Sequence, residues 1–210
     1  RLEDFQNAHP DIDIRIDASD VPVDMETADI DVALRYVRPA QAPAGAVRLF
    51  GEQLTPVASP WLIKSGHPLR KGSDLVHFGL IEASDSHRTQ NLEWLTWRRW
   101  LDTHNFKTLE PKRWLYFNYA HQIAQAALTG QGVALARMPL VADSLASGDL
   151  VEILPHMRLD SPMAYWLIVG PRSAARPEIV AFCTWLQAQA ERTRVAIGDV
   201  PDHDTVDDLN

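Results

Sequence analysis

Cysteine is almost absent from this chain. Cys183 is the single one in 210 residues, so no internal disulfide can staple the fold. It falls on the apolar side of a predicted helix, where a lone thiol reads as a small buried hydrophobe, and a reducing compartment is compatible with that usage. Paired cysteines for a zinc site are missing too. The eight histidines, at 9, 67, 77, 87, 104, 121, 156 and 203, never recur at HxxxH spacing, so neither a metal nor a cofactor is expected. No apolar run reaches the roughly 18 residues that a membrane span needs, and no charged-then-apolar leader opens the chain. A clustered basic surface is also lacking. Only Arg98-Arg99 and Lys112-Arg113 approach one, and both read as solvated element ends, which speaks against nucleic-acid binding by this piece alone.

The composition itself is that of a globular protein, 46% hydrophobic and 23% charged, which excludes disorder of the whole. Five of the eight surplus negative charges are Asp199, Asp202, Asp204, Asp207 and Asp208, so residues 198–210 are expected to form an acidic disordered tail. At the other end Leu2 and Phe5 stand at i, i+3 with no capping residue before them. The chain therefore reads as a fragment that begins inside a helix.

Ile12, Ile14 and Ile16 alternate with Asp13, Arg15 and Asp17, the period-two pattern of a strand with one wet face. Further strands are predicted over 30–35, 47–50, 54–58, 78–83, 114–117, 133–136, 151–154 and 164–169. Helices are predicted over about 92–104, rich in tryptophan, over 118–128, from Pro139 to Gly148, and from Pro177 onward. Gly130 and Gly132 are read as the positive-φ positions that end the second of these. Strand and helix alternate throughout, which predicts an α/β fold with parallel sheets flanked by helices. Two separate runs of alternation predict two subdomains, one of residues 1–58 with 166–197 and one of 59–165. The chain would cross between them twice, and the cleft between the halves becomes the expected ligand site.

Several motifs invite chemistry and have a plainer reading. Gly130-Gln131-Gly132 follows a helix and opens a strand, the reverse of a dinucleotide fingerprint. Ser84-Asp85-Ser86-His87 has the residue types of a triad but no G-x-S-x-G elbow exists, so a polar loop is expected and no catalytic residue is assigned. Trp94, Trp97 and Trp100, spaced by three along a helix, are read as core. Phe117-Asn118-Tyr119 joins a buried strand to a helix whose first N–H groups lack internal partners and whose dipole favours an anion or polar group. Ligand contact and simple capping by Asn118 are both open there. Ser19 and Ser59 are the other short polar residues expected at strand C-terminal ends, where open α/β sheets place their sites.

Taken in order, Arg1-Leu-Glu-Asp-Phe…His-Pro-Asp-Ile-Asp-Ile, Asp31-Val-Ala-Leu-Arg-Tyr36, Leu54-Thr-Pro-Val-Ala-Ser-Pro60, Gln125-Ala-Ala-Leu-Thr-Gly-Gln-Gly-Val-Ala-Leu-Ala-Arg137, Ala164-Tyr-Trp-Leu and Arg176-Pro-Glu…Ala181-Phe-Cys-Thr-Trp-Leu186 resemble the effector-binding domain of LysR-type transcriptional regulators, most of all the glycine-cleavage-activator branch. The resemblance covers nearly all of residues 1 to 190. It implies two Rossmann-like subdomains joined by two crossover strands, with the topology of type 2 periplasmic binding proteins. It also implies an effector in the cleft, homodimers or tetramers, cytoplasmic location, and DNA binding through an N-terminal helix-turn-helix that this chain lacks, with RNA polymerase as a further partner. The first strand of the family domain, with its effector-contacting serine or threonine, is missing as well. Carry-over is thus confined to Ser19, Ser59, Phe117, Asn118 and Tyr119.

The function expected is therefore that of a non-enzymatic sensor of a small polar metabolite, an amino acid or carboxylate, in a DNA-binding regulator. An extracytoplasmic solute receptor of a transporter and an enzyme on the same scaffold are the two alternatives.

Overall fold

The computed structural model describes residues 1–19, 23–84 and 92–199. In chain order its elements are α1 (Leu2–Ala8), β1 (Val32–Val37), β2 (Val47–Ala58), α2 (Pro60–Ser65), β3 (Gly79–Ala83), α3 (Trp97–Thr103), β4 (Arg113–Phe117), α4 (Ala120–Leu128), β5 (Val133–Arg137), α5 (Met138–Ser147), β6 (Val151–Glu152), β7 (Leu159–Val169) and α6 (Pro177–Ile197), with short 3-10 turns between some of them. They fall into two units, unit 1 of Arg1–Gly51 with Met163–Asn210 and unit 2 of Glu52–Pro162. Strands β2 and β7 run unbroken through both boundaries. The junctions expected at 58/59 and 165/166 rest on patterning, and side-chain alternation carries no mark of where an unbroken strand changes unit.

In unit 1, β1 pairs antiparallel with β7 from Val32↔Val169 to Val37↔Ala164. Leu49, Leu167, Ile179, Cys183 and Ala190 make its apolar core, which places the lone thiol on the buried stripe of α6 as expected. Burial pushes the Cys183 thiol above its ordinary pKa, so it stays protonated and inert. Helix α1 is held on α6 by Phe5, 1% exposed, whose ring lies 5.3 Å from Phe182 and 5.4 Å from Trp185. Burying such a side chain is worth roughly 1.5–3 kcal/mol. Arg1 adds a hydrogen bond to Thr193 Oγ1 at 3.0 Å.

Three expectations for this unit are corrected. The strand predicted over Ile12 to Asp17 does not form. Ile16 is 72% exposed and Arg15 pairs with Asp17 at the surface. Alternation supplies a face to bury, but a strand also needs a neighbour's backbone, and β1, the nearest strand in sequence, is paired to β7. The two strands predicted over 47–50 and 54–58 are one strand of 12 residues. Gly51 does not break it, because its N–H donates to Asp199 Oδ2 at 2.9 Å, and a Cβ there would sit 2.7 Å from Arg48 Nη2. Glycine thus makes room for the Arg48–Asp199 ion pair to close over the strand. The disordered tail expected from residue 198 does not begin there. Gly198 caps α6 at φ +72° and Asp199 is tied to Arg48 and Gly51, while residues 200–210 lie outside the described residues.

In unit 2, β3 is parallel to β4, from Gly79↔Arg113 to Ala83↔Phe117, and to β5 through Leu80↔Val133. The parallel sheet expected from the βα alternation is therefore present. Strand β2 closes its other side antiparallel, from Leu54↔Arg137 to Val57↔Ala134, and β6 pairs with the end of β2. Of the three tryptophans read as core, two are: Trp94 lies ahead of α3, half-buried under Arg99, and outside the apolar cluster. Trp97 and Trp100 are fully buried 5.2 Å apart, and their ring N–H groups donate to the carbonyls of Ile81 (2.9 Å) and Met157 (2.7 Å). The helix is shorter than predicted because Thr96 caps it, its hydroxyl accepting from Arg99 N–H at 3.3 Å. Gly130 ends α4 at φ +75°, but Gly132 has no positive φ. A Cβ on Gly132 would lie 2.5 Å from the carbonyl oxygen of Gly79, so glycine there permits close strand approach rather than a turn.

Candidate functional site

Because β3, β4 and β5 are parallel and β2 is antiparallel to them, unit 2's sheet has two unlike edges. At one edge the three parallel strands end, at Ala83, Phe117 and Arg137, beside the start of unit 2 on β2. Open α/β sheets put their ligands at such carboxyl ends.

Strand β4 passes directly into α4 at this edge. The Phe117 carbonyl accepts from Ser84 N–H at 2.7 Å, which fixes the end of β4 against the residue that follows β3. Asn118 is exposed, and Tyr119, half exposed, is the residue in N-cap position. The capping role open for Asn118 is not the one found: α4 has no side-chain cap, and Tyr119 instead stacks on His121 at 5.6 Å. Helix α5 starts from the same edge, also without a side-chain cap, with Arg137 before it and Pro139 in its first turn.

Two charged groups here escaped the sequence reading. Glu52 has a side chain fully removed from solvent and takes Arg137 Nε at 2.5 Å. Arg137 stands in register with Leu54, which brings the first residues of unit 2 to the end of β5. Glu82, next to last on β3, accepts the amide of Trp97 at 2.6 Å. Burial raises its carboxyl above the ordinary value, and the Trp97 amide only partly offsets that. For Glu82 a charge in a strand otherwise read as apolar was the available signal, since a buried carboxylate must find a donor; Glu52 fell between two predicted strands and had none.

Phe117, Asn118 and Tyr119 therefore sit together at the edge expected of a ligand site. Ser59 is not with them. It follows β2, whose end lies at the opposite edge beside the starts of β3 and β5, and it is buried as the N-cap of α2, its Oγ accepting from Leu62 N–H at 3.3 Å. Ser19 belongs to unit 1 and is exposed, and with no strand over 12–17 it does not stand at a strand end. Of the Ser84-Asp85-Ser86-His87 motif only Ser84 is among the described residues.

The family model for the LysR substrate binding domain matches residues 1–191. The chain belongs to this family. LysR substrate binding domains are regulatory ligand-binding domains, and the relatives are named as regulators of transcription. The chain is 32% identical over 190 residues to the glycine cleavage system transcriptional activator of Escherichia coli (strain K12), a match that covers 90% of this chain and 59% of that protein. It is 29% identical over 191 residues to the HTH-type transcriptional activator AmpR of Pseudomonas aeruginosa, covering 90% of the chain and 60% of that protein. The chain thus spans about three fifths of the length of the curated relatives it matches. The solved effector domain of the Pseudomonas aeruginosa AmpR regulator is 28% identical, with a TM-score of 0.63 over 93% of this chain and 90% of that one. The regulatory domain of CrgA from Neisseria meningitidis, at 16% identity and a TM-score of 0.63, shares the fold. That fold is the type 2 periplasmic-binding-protein-like one expected, two α/β units joined by two strands.

Proposed function

We propose that this chain is the effector-binding and oligomerising part of a LysR-type, DNA-binding transcriptional regulator of the cytoplasm, and that it senses a small polar metabolite, an amino acid or carboxylate. The observation that carries the reading is the junction of β4 and α4. A strand ending at the carboxyl edge of a parallel sheet runs through Phe117, Asn118 and Tyr119 into a helix whose first N–H groups have no side-chain cap. Those donors and the helix dipole favour an anionic or carbonyl oxygen, and the exposed Asn118 and Tyr119 offer hydrogen bonds and an aromatic face beside it. Arg137, at the end of β5 on the far side of β3 from β4, adds positive charge to the same edge, balanced by Glu52. Nothing in this set pairs a nucleophile with a base, which suits a group of residues that holds a solute unchanged.

Sensing requires only that the solute bind one conformation of the domain better than another. The difference would be passed through a homodimer or tetramer to an N-terminal helix-turn-helix on DNA, and from there to RNA polymerase. The test is a thermal-shift screen of the purified chain with small amino acids and carboxylates, followed by calorimetry on a hit. Asn118→Ala and Tyr119→Ala are each expected to weaken binding about threefold to tenfold, the worth of one hydrogen bond or ring contact. A hit that tolerates both changes but disappears with Ser59→Ala would move the site to the other edge and sink this assignment.

A further inference from the structure

We infer that the opposite edge of unit 2's sheet, where its parallel strands begin, is a docking surface for an acidic protein segment that carries apolar side chains among its carboxylates. The starts of β3, β4 and β5 and the end of β2 meet there. Trp61 lies across Gly130, where a Cβ would come within 2.8 Å of its ring, yet the indole is 66% exposed. Exposed cationic side chains occur on the segments that lead into and out of this edge, Lys64 on α2, which follows β2, Arg70 and Lys71 ahead of β3, and Lys112 and Arg113 at the start of β4. Arg113 lays its stem along Gly79 and donates to the Gln131 carbonyl at 3.2 Å, and the Lys112 amide donates to the Phe78 carbonyl at 3.0 Å.

Carboxylates do not neutralise this edge. Asp74 is committed to the backbone amides of Arg70 and Lys71, at 2.9 and 3.1 Å, and meets Lys71 only as a nearby charge. Among the described residues none of the five cations is in an ion pair. Elsewhere Arg48, Arg137, Arg158, Arg172, Arg176 and Arg194 each have a carboxylate partner.

An unpaired basic patch in a chain of net charge −8 calls for an acidic partner. Protein is favoured over nucleic acid by the exposed Trp61 at the same end of the sheet and by Val76, 41% exposed, ahead of β3. Tryptophan beside arginine is the composition of an interface hot spot, whereas a phosphate backbone is held by charge alone and would be repelled by the remainder of an acidic chain.

The test uses fluorescence anisotropy of a labelled glutamate-rich peptide interspersed with leucines, titrated with the purified 210-residue chain. A leucine-free glutamate peptide and a random-sequence DNA duplex serve as competitors. The glutamate-leucine peptide should bind, more weakly as salt rises, and better than the leucine-free one. Lys71→Glu combined with Arg113→Glu should weaken it about tenfold or more, and Trp61→Ala about tenfold, while Arg172→Ala changes nothing. All four side chains are exposed, so circular dichroism should be unaltered. Absence of binding, or equal binding by parent and both patch variants, overturns the proposal. So does a DNA duplex that displaces the peptide at the same salt with Trp61→Ala neutral, which would make the surface one for nucleic acid.

Discussion

The two units reach order by different means. The largest fully buried side chains divide nine to three in favour of unit 2, where Trp97, Trp100, Leu80 and Ile81 fill both faces of the parallel sheet. Unit 1 has a narrower apolar core and is tied together by polar links. Arg48 and Gly51 hold Asp199, and Asp31 takes Ser173 Oγ at 2.5 Å and Arg176 Nη1 at 2.8 Å. Parallel strands must be covered on both faces, so their unit depends on large buried side chains. An antiparallel edge of β1 and β7 with one long helix leaves more of its surface wet, and ion pairs then set the positions of the loops. The first kind of order should respond to lost volume, the second to lost charge.

The sharpest way to break this contrast is Trp97→Ala. Removing a fully buried indole and its bond to Ile81 should cost about 3–5 kcal/mol in urea unfolding, and a loss below about 1 kcal/mol would mean that unit 2 does not rest on this core.

Next comes the polar network inside unit 2, which tests whether unit 2 is apolar alone. Glu152 takes Arg158 through Nε at 2.7 Å and Nη2 at 2.8 Å, and Thr55 Oγ1 at 2.6 Å. Burial by itself would raise the Glu152 carboxyl, but Arg158 and Thr55 outweigh it and hold it below the ordinary 4.5. A depressed carboxyl contributes stability above its unfolded value that is lost as pH falls through the folded one. Arg158→Met should therefore cost about 1–3 kcal/mol at neutral pH. The gap to the parent should narrow in a pH series of unfolding midpoints as pH drops below the ordinary value, and a pH-independent gap would assign the loss to packing.

In unit 1, Asp199→Ala should cost about 1 kcal/mol, the range of a partly exposed bidentate pair with one backbone bond. Salt should shrink the difference, while leaving the cost of Trp97→Ala unchanged. An equal salt response in both would erase the distinction between the units.

The smallest effect belongs to Glu82→Gln. Raised by burial, this carboxyl adds stability below its unfolded value and loses it as pH climbs through the folded one. Glutamine keeps an oxygen for the Trp97 amide, so the variant should match the parent in acid and show a slightly higher Tm at neutral pH. A lower Tm at neutral pH would mean the charged form is needed there.

Much of the fold was legible because it repeats locally. The tryptophan spacing, the continuous apolar run of β5, Pro139 and Gly148 around α5, and Pro177 opening α6 each leave a short-range mark. The Ile12 to Asp17 alternation failed for the complementary reason, since a strand's partner lies elsewhere in the chain. The edge proposed for the ligand was half legible. A strand-to-helix junction with Asn118 can be read from sequence, but a serine after a strand looks the same at either end of a sheet. Ser59 ends an antiparallel strand and so lies at the far edge from Asn118. Glu52 and Arg137, remote in sequence, had no local pattern to join them.

By itself, then, the sequence determined the alternating α/β elements, the family, and which residues are apolar enough to be buried, because each follows from periodicity and order along the chain. The antiparallel course of β2 beside the parallel strands, the pairing of Glu52 with Arg137, the close approach at Gly132 and the placing of Asn118 and Ser59 at opposite ends of the sheet were decided only in three dimensions. Those depend on which backbone lies beside which, and hydrogen bonds and ion pairs between distant residues leave no periodic trace.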